Sequence, residues 1–313
     1  MTAPHSNAPQ RRFALANLIA QVGIIVTGGL VRVTGSGLGC STWPMCEPGA
    51  FTPTFHEASS WHPFIEFGNR TLTGVLTIIA IGLIVVLKRK SAPARPDVLP
   101  YAWGVLALIA VQAVVGGISV WVTLHPAVVG LHMVLSLGLV ALSTFIVYRI
   151  YRPHPGVESP SARRASTLDR VVHGGLALWT VVVALLGVVV TGTGPHSGDA
   201  TRPYRFAIDP LVITRTHAIA AWVLLALVAL SFYLASRAPL QVRRAWLLVV
   251  AVLIIQGVIG YVQYFTGLVP PLVILHMLGS GLVVVAITWA IATVYARPAS
   301  SEVYAPSEQA ARA

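Results

Sequence analysis

Long apolar runs, each about 20 residues in length, alternate with short polar segments along the whole chain. A run of this length crosses the hydrocarbon core of a bilayer as an α-helix, which satisfies its own backbone hydrogen bonds in lipid. A transmembrane β-barrel would instead show strands of about ten residues with alternating polarity, and the sequence lacks that pattern. The runs predict eight transmembrane helices, at about 13–33, 65–87, 100–121, 127–148, 171–191, 211–235, 245–265 and 271–294.

Composition supports an all-α integral membrane protein. Of the 313 residues, 56% are hydrophobic and 10% are charged, whereas soluble domains carry about 25% charged residues. Water-soluble enzymes, nucleic-acid-binding proteins and secreted disulfide-rich domains are therefore excluded. The first run follows Arg11 and Arg12, but it is too long for a signal peptide and no small-residue cleavage site follows it.

The positive charges predict the orientation of the chain. Most of the 21 Lys and Arg residues lie in the N-terminal segment, in the second, fourth and sixth loops, and in the C-terminal tail. Because cytoplasmic loops are enriched in Lys and Arg, both termini are predicted to be cytoplasmic and the odd-numbered loops to face outward. The net charge of +11 therefore needs no nucleic-acid partner. We expect a multi-pass protein of the plasma membrane, surrounded by the lipid bilayer.

The two cysteines lie close together in the first outward loop, as Cys40 and Cys46. An outward compartment is oxidising, so this pair predicts a disulfide bond. A metal site is a less favoured alternative, because the loop offers no further ligands at the usual spacing.

An internal repeat divides the chain into two halves. Adding 144 to a position in spans three and four gives its match in spans seven and eight, as in the pairs Gln112–Gln256, Gly116–Gly260, Pro126–Pro270 and His132–His276. A looser match places Asn69 opposite His217. The pattern predicts two repeat-related four-helix bundles of the same orientation. The predicted units are an N-terminal half over 1–149, a cytoplasmic linker over 150–169, a C-terminal half over 170–296 and a cytoplasmic tail over 297–313.

Three histidines lie inside predicted spans at a similar depth below the outward surface: His132, His217 and His276. The second and fourth helices of the C-terminal half carry two of them, which suits axial ligation of a haem iron within a four-helix bundle. Zinc is less favoured, because two imidazoles leave it short of ligands. Small residues nearby, such as Gly279 and Gly281, are expected to let a flat macrocycle approach the backbone.

The N-terminal half carries different chemistry at the same depth. His132 stands there without a second histidine, because Asn69 occupies the matching position and an amide is a poor iron ligand. Glu66, about one turn from Asn69, is the one acidic residue within a predicted span. Charged groups at membrane depth usually mark function, so an open coordination position beside a carboxylate predicts a catalytic site. The alternative is an interfacial carboxylate that merely pairs with Arg70.

The combination of these features resembles the haem A synthase family over nearly the whole chain. The resemblance rests on eight spans in two halves, on GGLVRVTGSGL at 28–38 followed by the cysteine pair, on IEFGNR at 65–70, on LHM at 131–133 and 275–277, and on RTH at 215–217. It implies an oxidoreductase acting on a CH3 group, which hydroxylates a ring methyl of haem O twice and loses water to leave the formyl group of haem A. The product would serve assembly of aa3-type cytochrome oxidase.

The resemblance also assigns residues to roles. It implies that His217 and His276 ligate the iron of a haem b, that His132 holds the iron of the substrate haem with Asn69 facing it, and that Glu66 is catalytic. The commoner family pattern has His in place of Asn69, which is a departure in this chain. Three arginines near the outward helix ends are candidates for pairing with haem propionates: Arg32, Arg70 and Arg215. The alternative is that they only extend to the membrane interface.

The implied partners are haem O synthase as the upstream enzyme, a membrane electron donor, and the cytochrome oxidase under assembly. Two rival functions remain open, a non-catalytic di-haem b cytochrome that passes electrons from quinol and a haem carrier. A transporter is a weaker alternative. The prenyltransferase that makes haem O is excluded, because it needs aspartate-rich motifs and no predicted span contains an aspartate.

Overall fold

The computed structural model describes residues 7–54, 60–89, 95–151, 165–199 and 204–295. These residues form eight long α-helices, together with a short 3-10 helix over Ala235–Arg237, and no strand. The helices are α1 (Ala8–Val33), α2 (His62–Lys88), α3 (Leu99–Trp121), α4 (Pro126–Tyr151), α5 (Thr167–Thr193), α6 (Pro210–Leu234), α7 (Leu240–Phe265) and α8 (Pro270–Val294). Each is long and apolar enough to cross a membrane, which confirms the predicted all-α class and the eight spans.

Helix ends differ from the ends of the apolar runs by several residues. The helix α7 begins five residues before the predicted span and includes Arg243 and Arg244, because long basic side chains reach the interface without interrupting a helix. The predicted linker 150–169 is too long at both ends. Its last residues start α5, where Ser166 accepts from the Asp169 N–H at 3.1 Å and the Asp169 carboxylate accepts from the Ser166 N–H at 2.7 Å, a capping box. The tail 297–313 lies outside the described residues.

The helices pack as two rings of four, α1–α4 and α5–α8. The two rings meet along a seam formed by α1, α4, α5 and α8. Neighbours in sequence contact each other within each half, α1 closes the first ring against α4, and α5 meets α8 only at a few positions. Across the seam, α8 contacts α1 and α4, and α4 contacts α5. Within the described chain the diagonal pairs α2–α4 and α6–α8 make no close backbone contact. These helices therefore face each other across the middle of each ring.

The seam is closely packed. Ile25, Leu137 and Val140 form a buried apolar cluster there, with Met277 against it. At Gly29 of α1 a Cβ would lie 3.0 Å from Met277 Sδ, so the absence of a side chain lets α1 and α8 approach. Helix α1 is thus shared by the walls of both rings. Matched repeats and the membrane orientation remain predictions.

At one end of the bundle α1, α3, α5 and α7 finish and the odd-numbered loops lie; we term this the odd-loop end. The Gly37 N–H donates to the Gly198 carbonyl at 2.7 Å, and Arg32 Nη2 donates to the Thr191 carbonyl at 2.8 Å. Gly198 has a φ of 94°, a backbone conformation that glycine adopts without strain. These bonds join the loop after α1 to the end of α5 and its loop, and so tie the two halves together.

At the opposite end an ion-pair network joins the α2–α3 connection to α4. Asp97 bonds Arg95 Nε at 2.9 Å and Arg149 Nη2 at 2.7 Å. Burial raises the pKa of Asp97, but hydrogen bonds and charge from both arginines outweigh burial and lower that pKa to about 2. The carboxylate is therefore ionised throughout the physiological range.

Candidate functional site

Four side chains occupy matched depths on the diagonal helices. Asn69 and His217 are the eighth residues of α2 and α6, and His132 and His276 are the seventh residues of α4 and α8. All four helices begin at the odd-loop end, so these side chains lie about 10 Å inside it, at 1.5 Å per helical residue. Each ring therefore has two candidate ligand positions on opposite helices.

The histidines of α4 and α8 have nearly identical surroundings. Gln112 Nε2 donates to the His132 carbonyl at 3.0 Å, and Gln256 Nε2 donates to the His276 carbonyl at 2.9 Å. Each imidazole rests on a glycine of the preceding helix. An added Cβ would lie 3.4 Å from Cε1 of His132 at Gly116 and 3.1 Å from Cε1 of His276 at Gly260. Sequence analysis identified both glutamines as repeat matches but assigned them no role.

His217 is oriented by a backbone carbonyl of α5. Its Nδ1 donates to the Val183 carbonyl at 3.1 Å, and an added Cβ at Gly187 would lie 3.2 Å from its Cε1. An imidazole that donates through Nδ1 leaves Nε2 available as a ligand, the usual arrangement at protein metal sites.

Asn69 is held by a hydroxyl rather than by a carbonyl. Thr27 Oγ1 of α1 donates to Asn69 Oδ1 at 2.7 Å. This bond uses the amide oxygen, which is the atom through which an Asn side chain would bind a metal ion. The first ring therefore offers one imidazole, that of His132, and an amide already engaged with its neighbour.

Glu66 lies almost completely buried, at 6% exposure, one turn before Asn69. One carboxylate oxygen accepts from Arg70 Nε at 3.0 Å within an ion pair, and the other accepts from the Cys40 N–H at 2.7 Å. Arg70 Nη1 also donates to the Thr42 carbonyl at 2.9 Å. A buried carboxylate needs such partners to remain charged. The pairing with Arg70 expected of an inert interfacial carboxylate is present, together with a backbone donor that this alternative did not include.

The cysteines form the predicted disulfide bond, with an S–S distance of 2.06 Å between Cys40 and Cys46. This bond excludes the alternative of a metal held by the two thiolates. Among the described residues no group of three or more His, Cys, Asp and Glu side chains is arranged to hold a bare metal ion.

The three candidate arginines have different surroundings. Arg70 is neutralised by Glu66, and Arg215 is exposed. Arg32 reaches across the seam to the Thr191 carbonyl, and its buried Nε has no hydrogen-bond partner among the described residues. A half-buried cation that forms no ion pair among the described residues favours an anionic ligand, so Arg32 fits the role of a carboxylate-binding group better than the other two.

The expectation for Gly279 and Gly281 is wrong. An added Cβ at Gly279 would lie 1.8 Å from Gln256 Oε1, and one at Gly281 would lie 3.5 Å from Ile25 Cδ1. Both glycines therefore serve close helix packing, with α7 and with α1. Small residues beside a ligand position do not by themselves mark a ligand surface, since helix contacts in membranes use the same residues.

The donor set fits haem in both rings, on different terms. The second ring brings two imidazoles from opposite helices, one of them oriented by a carbonyl, and the position in α6 that matches Glu66 is Thr214. A pair of imidazoles is one of the donor sets that would hold a haem iron. The first ring supplies one imidazole, from α4, and carries Glu66 one turn before Asn69 on the opposite helix α2. A closed two-histidine site suits electron transfer, whereas an open position beside a carboxylate suits chemistry.

Comparisons with known proteins point to one family. The family model described as cytochrome oxidase assembly protein (COX15-CtaA) matches residues 11–203, a stretch that includes Glu66, Asn69 and His132 and ends before His217. Two relatives named Heme A synthase come from Bacillus pumilus, 28% identical over 58% of this chain and 58% of its own length, and from Exiguobacterium sp., 30% identical over 55% and 54%. Both matches span little more than half of the relatives' length. A third Heme A synthase, from Bacillus cereus, is 24% identical over 82% of this chain and 83% of its own.

Proposed function

The chain belongs to the cytochrome oxidase assembly protein family, and on this premise we propose that it is a haem A synthase, an oxidoreductase that converts a ring methyl group of haem O to the formyl group of haem A. The proposal rests above all on Glu66, a buried carboxylate held in place beside the ring that offers only one imidazole. The relatives named Heme A synthase support it.

In this proposal each ring has its own task. His217 and His276 hold a haem b between α6 and α8, and this group supplies electron transfer when bound. His132 holds the iron of haem O in the first ring, where Asn69 leaves the opposite position weakly occupied. A substrate must leave after it reacts, so one strong ligand serves it better than two.

Glu66 handles protons at the reacting methyl group. In each of the two hydroxylations one atom of O2 enters a C–H bond of the methyl group, and the other leaves as water with two electrons from the membrane donor and two protons; the resulting diol then loses water to leave the formyl group. A fixed carboxylate in a dry site relays such protons efficiently. One Glu66 oxygen accepts from both Nε and Nη2 of Arg70, and the other accepts from the Cys40 N–H, so the second oxygen, which is free of the guanidinium, is the better placed to hold a proton. The Arg70 guanidinium holds the carboxylate in place between turnovers, and Arg32 binds a haem propionate at the seam.

The same proposal covers location and partners. The odd-loop end, with Glu66 and the disulfide, faces the outside of the plasma membrane, and both termini are cytoplasmic. Haem O synthase supplies the substrate, a membrane electron donor supports the reaction, and cytochrome oxidase receives the product. A di-haem electron-transfer protein or a haem carrier would leave the buried Glu66–Arg70 pair without a role.

Pigment extraction tests the proposal. The chain is expressed in a host that makes haem O, and the extracted haems are separated by chromatography. We expect haem A from the unaltered chain, and haem b without haem A from Glu66→Gln. The matched control is Glu47→Gln, which alters a loop carboxylate that binds Thr54 and lies outside the Glu66–Arg70 pair. Haem O retained unchanged by the unaltered chain would identify a carrier, and haem A from Glu66→Gln at the normal level would refute the catalytic role.

A further inference from the structure

Residues 40–46, which the disulfide closes into a ring, form the disulfide loop. Cys40 and Cys46 are both fully buried, so the loop lies against the helices rather than projecting from them. At its start, an added Cβ on Gly39 would lie 2.4 Å from the backbone carbon of His62, the first residue of α2. The chain entering the loop is therefore pressed onto the beginning of the helix that carries Glu66.

The disulfide loop contacts the Glu66–Arg70 pair only through its backbone. The Cys40 N–H donates to Glu66, and the carbonyls of Thr42 and Met45 accept from Arg70 Nη1 at 2.9 and 3.3 Å. Backbone groups cannot adjust by rotating about a side-chain bond. The position of the carboxylate therefore depends on where the whole loop is held.

Trp43, in the middle of the loop, is anchored on α3. Its indole lies against Gly117, where an added Cβ would be 2.5 Å from a ring carbon, and it meets Trp121 edge to face at a centroid distance of 5.6 Å. The preceding residue, Gly116, is the glycine on which the His132 ring rests. Two successive residues of α3 thus have different tasks: Gly117 supports the disulfide loop through Trp43, and Gly116 supports the imidazole of His132.

We infer that Trp43 is a positioning residue: seated at Gly117, it holds the disulfide loop on Glu66 and Arg70 and so fixes the carboxylate relative to His132. The inference rests on the proposed function, since it concerns the same site. The disulfide limits how far the Cys40 N–H and the carbonyls that bind Arg70 can separate, and Trp43 sets where the closed ring sits. Neither the indole nor the disulfide acts on the substrate itself.

Two substitutions release the anchor from opposite sides. Trp43→Ala removes the indole, and Gly117→Ala pushes it away from α3. Trp43→Phe is the conservative variant, and Gly104→Ala is the matched control on the same helix, where an added Cβ meets only Leu142 at 3.4 Å. The assay measures kcat and KM for haem O in the purified full-length chain. The haem b spectrum and maleimide labelling of the cysteines after mild dithiol reduction are recorded alongside.

We expect Trp43→Ala and Gly117→Ala to lower kcat about tenfold, which corresponds to about 1.4 kcal/mol in the barrier, with KM changed less and the haem b spectrum unchanged. Cysteine labelling should rise in both variants, Trp43→Phe should recover most of kcat, and Gly104→Ala should match the unaltered chain. A normal kcat in variants whose labelling shows a displaced loop would overturn the inference. If Trp43→Ala does not fold, Gly117→Ala decides in the same way. An unaltered chain that makes no haem A would instead refute the proposed function.

Discussion

The two rings differ most on their second helices. Asn69 of α2 stands where α6 has His217, and the matched position for Glu66 is Thr214, whose hydroxyl only donates to the Pro210 carbonyl of its own helix at 2.6 Å. The fourth helices, in contrast, carry His132 and His276 in nearly the same setting. One helix of each pair therefore keeps its histidine and that residue's surroundings while the other differs, which agrees with the one closed and one reactive site of the proposed function.

The largest effect should come from removing an imidazole of the second ring. Because α6 and α8 each contribute one ligand, we expect His217→Ala or His276→Ala to abolish the low-spin haem b spectrum of the purified chain. His132→Ala should leave that spectrum intact while stopping haem A formation. His173→Phe is the control, since this buried histidine stacks on Trp246 at 5.1 Å near the opposite end of the bundle. Low-spin haem b that persists in either alanine variant of the second ring would refute the assigned ligand pair.

The next experiment makes the rings alike. Asn69→His places a second imidazole in the first ring, so we expect bound haem O to become low-spin and its release to slow. An added bond worth about 1.4 kcal/mol would slow release about tenfold. The measurements are the electron paramagnetic resonance spectrum with haem O and the rate of multiple turnovers. Haem O that stays in the same spin state would show that position 69 does not face the iron.

A smaller contrast comes from adding one methyl group at matched glycines. An added Cβ lies 3.1 Å from His276 at Gly260 but 3.4 Å from His132 at Gly116. The contact at Gly260 is therefore the tighter one and requires the imidazole of His276 to move. We expect Gly260→Ala to lower haem b occupancy several-fold and Gly116→Ala to lower haem O affinity less. Titration of each purified variant with its haem checks the order. Equal losses would mean that the two histidines are seated alike in spite of these distances.

The smallest effect concerns the ion pairs that Asp97 makes in the first ring. The pKa of Asp97 is lowered to about 2, so the stability it provides is present above its ordinary value, near pH 4, and is lost as the pH falls towards 2. We expect Asp97→Asn to cost about 1 kcal/mol near neutral pH, in the upper range for partly exposed pairs. Thermal unfolding in detergent at pH 7 and pH 3 measures the cost, which should shrink at the lower pH. Asp209→Asn, which retains a capping group before α6, should cost less at both.

Much of the fold was predictable because each helix that crosses the membrane needs a continuous apolar run of about 20 residues. The eight helices follow from run length, and the disulfide follows from two cysteines in one outward loop. The beginning of α5 was not predictable from hydropathy, because the capping box of Ser166 and Asp169 lies in a polar segment. Polarity marks where the membrane ends, and capping marks where the helix ends.

The candidate ligands were predictable from their depth and from the repeat, whereas their supports were not. Thr27 meets Asn69 across 42 positions of the chain, and Trp43 meets Gly117 across a longer separation. Such contacts leave no periodic trace in a single sequence. Gly279 and Gly281 show the converse error, because a small residue reads the same whether it faces a ligand or a neighbouring helix.

Gly29 also affects the distance between the candidate ligand sites of the two rings. The bare backbone there allows Met277, which directly follows His276, to lie against α1, while Thr27 on the same helix touches Asn69. The missing methyl group at Gly29 thus sets how closely the helix that carries His276 approaches the helix that holds Asn69, and with it the separation of the two candidate ligand sites.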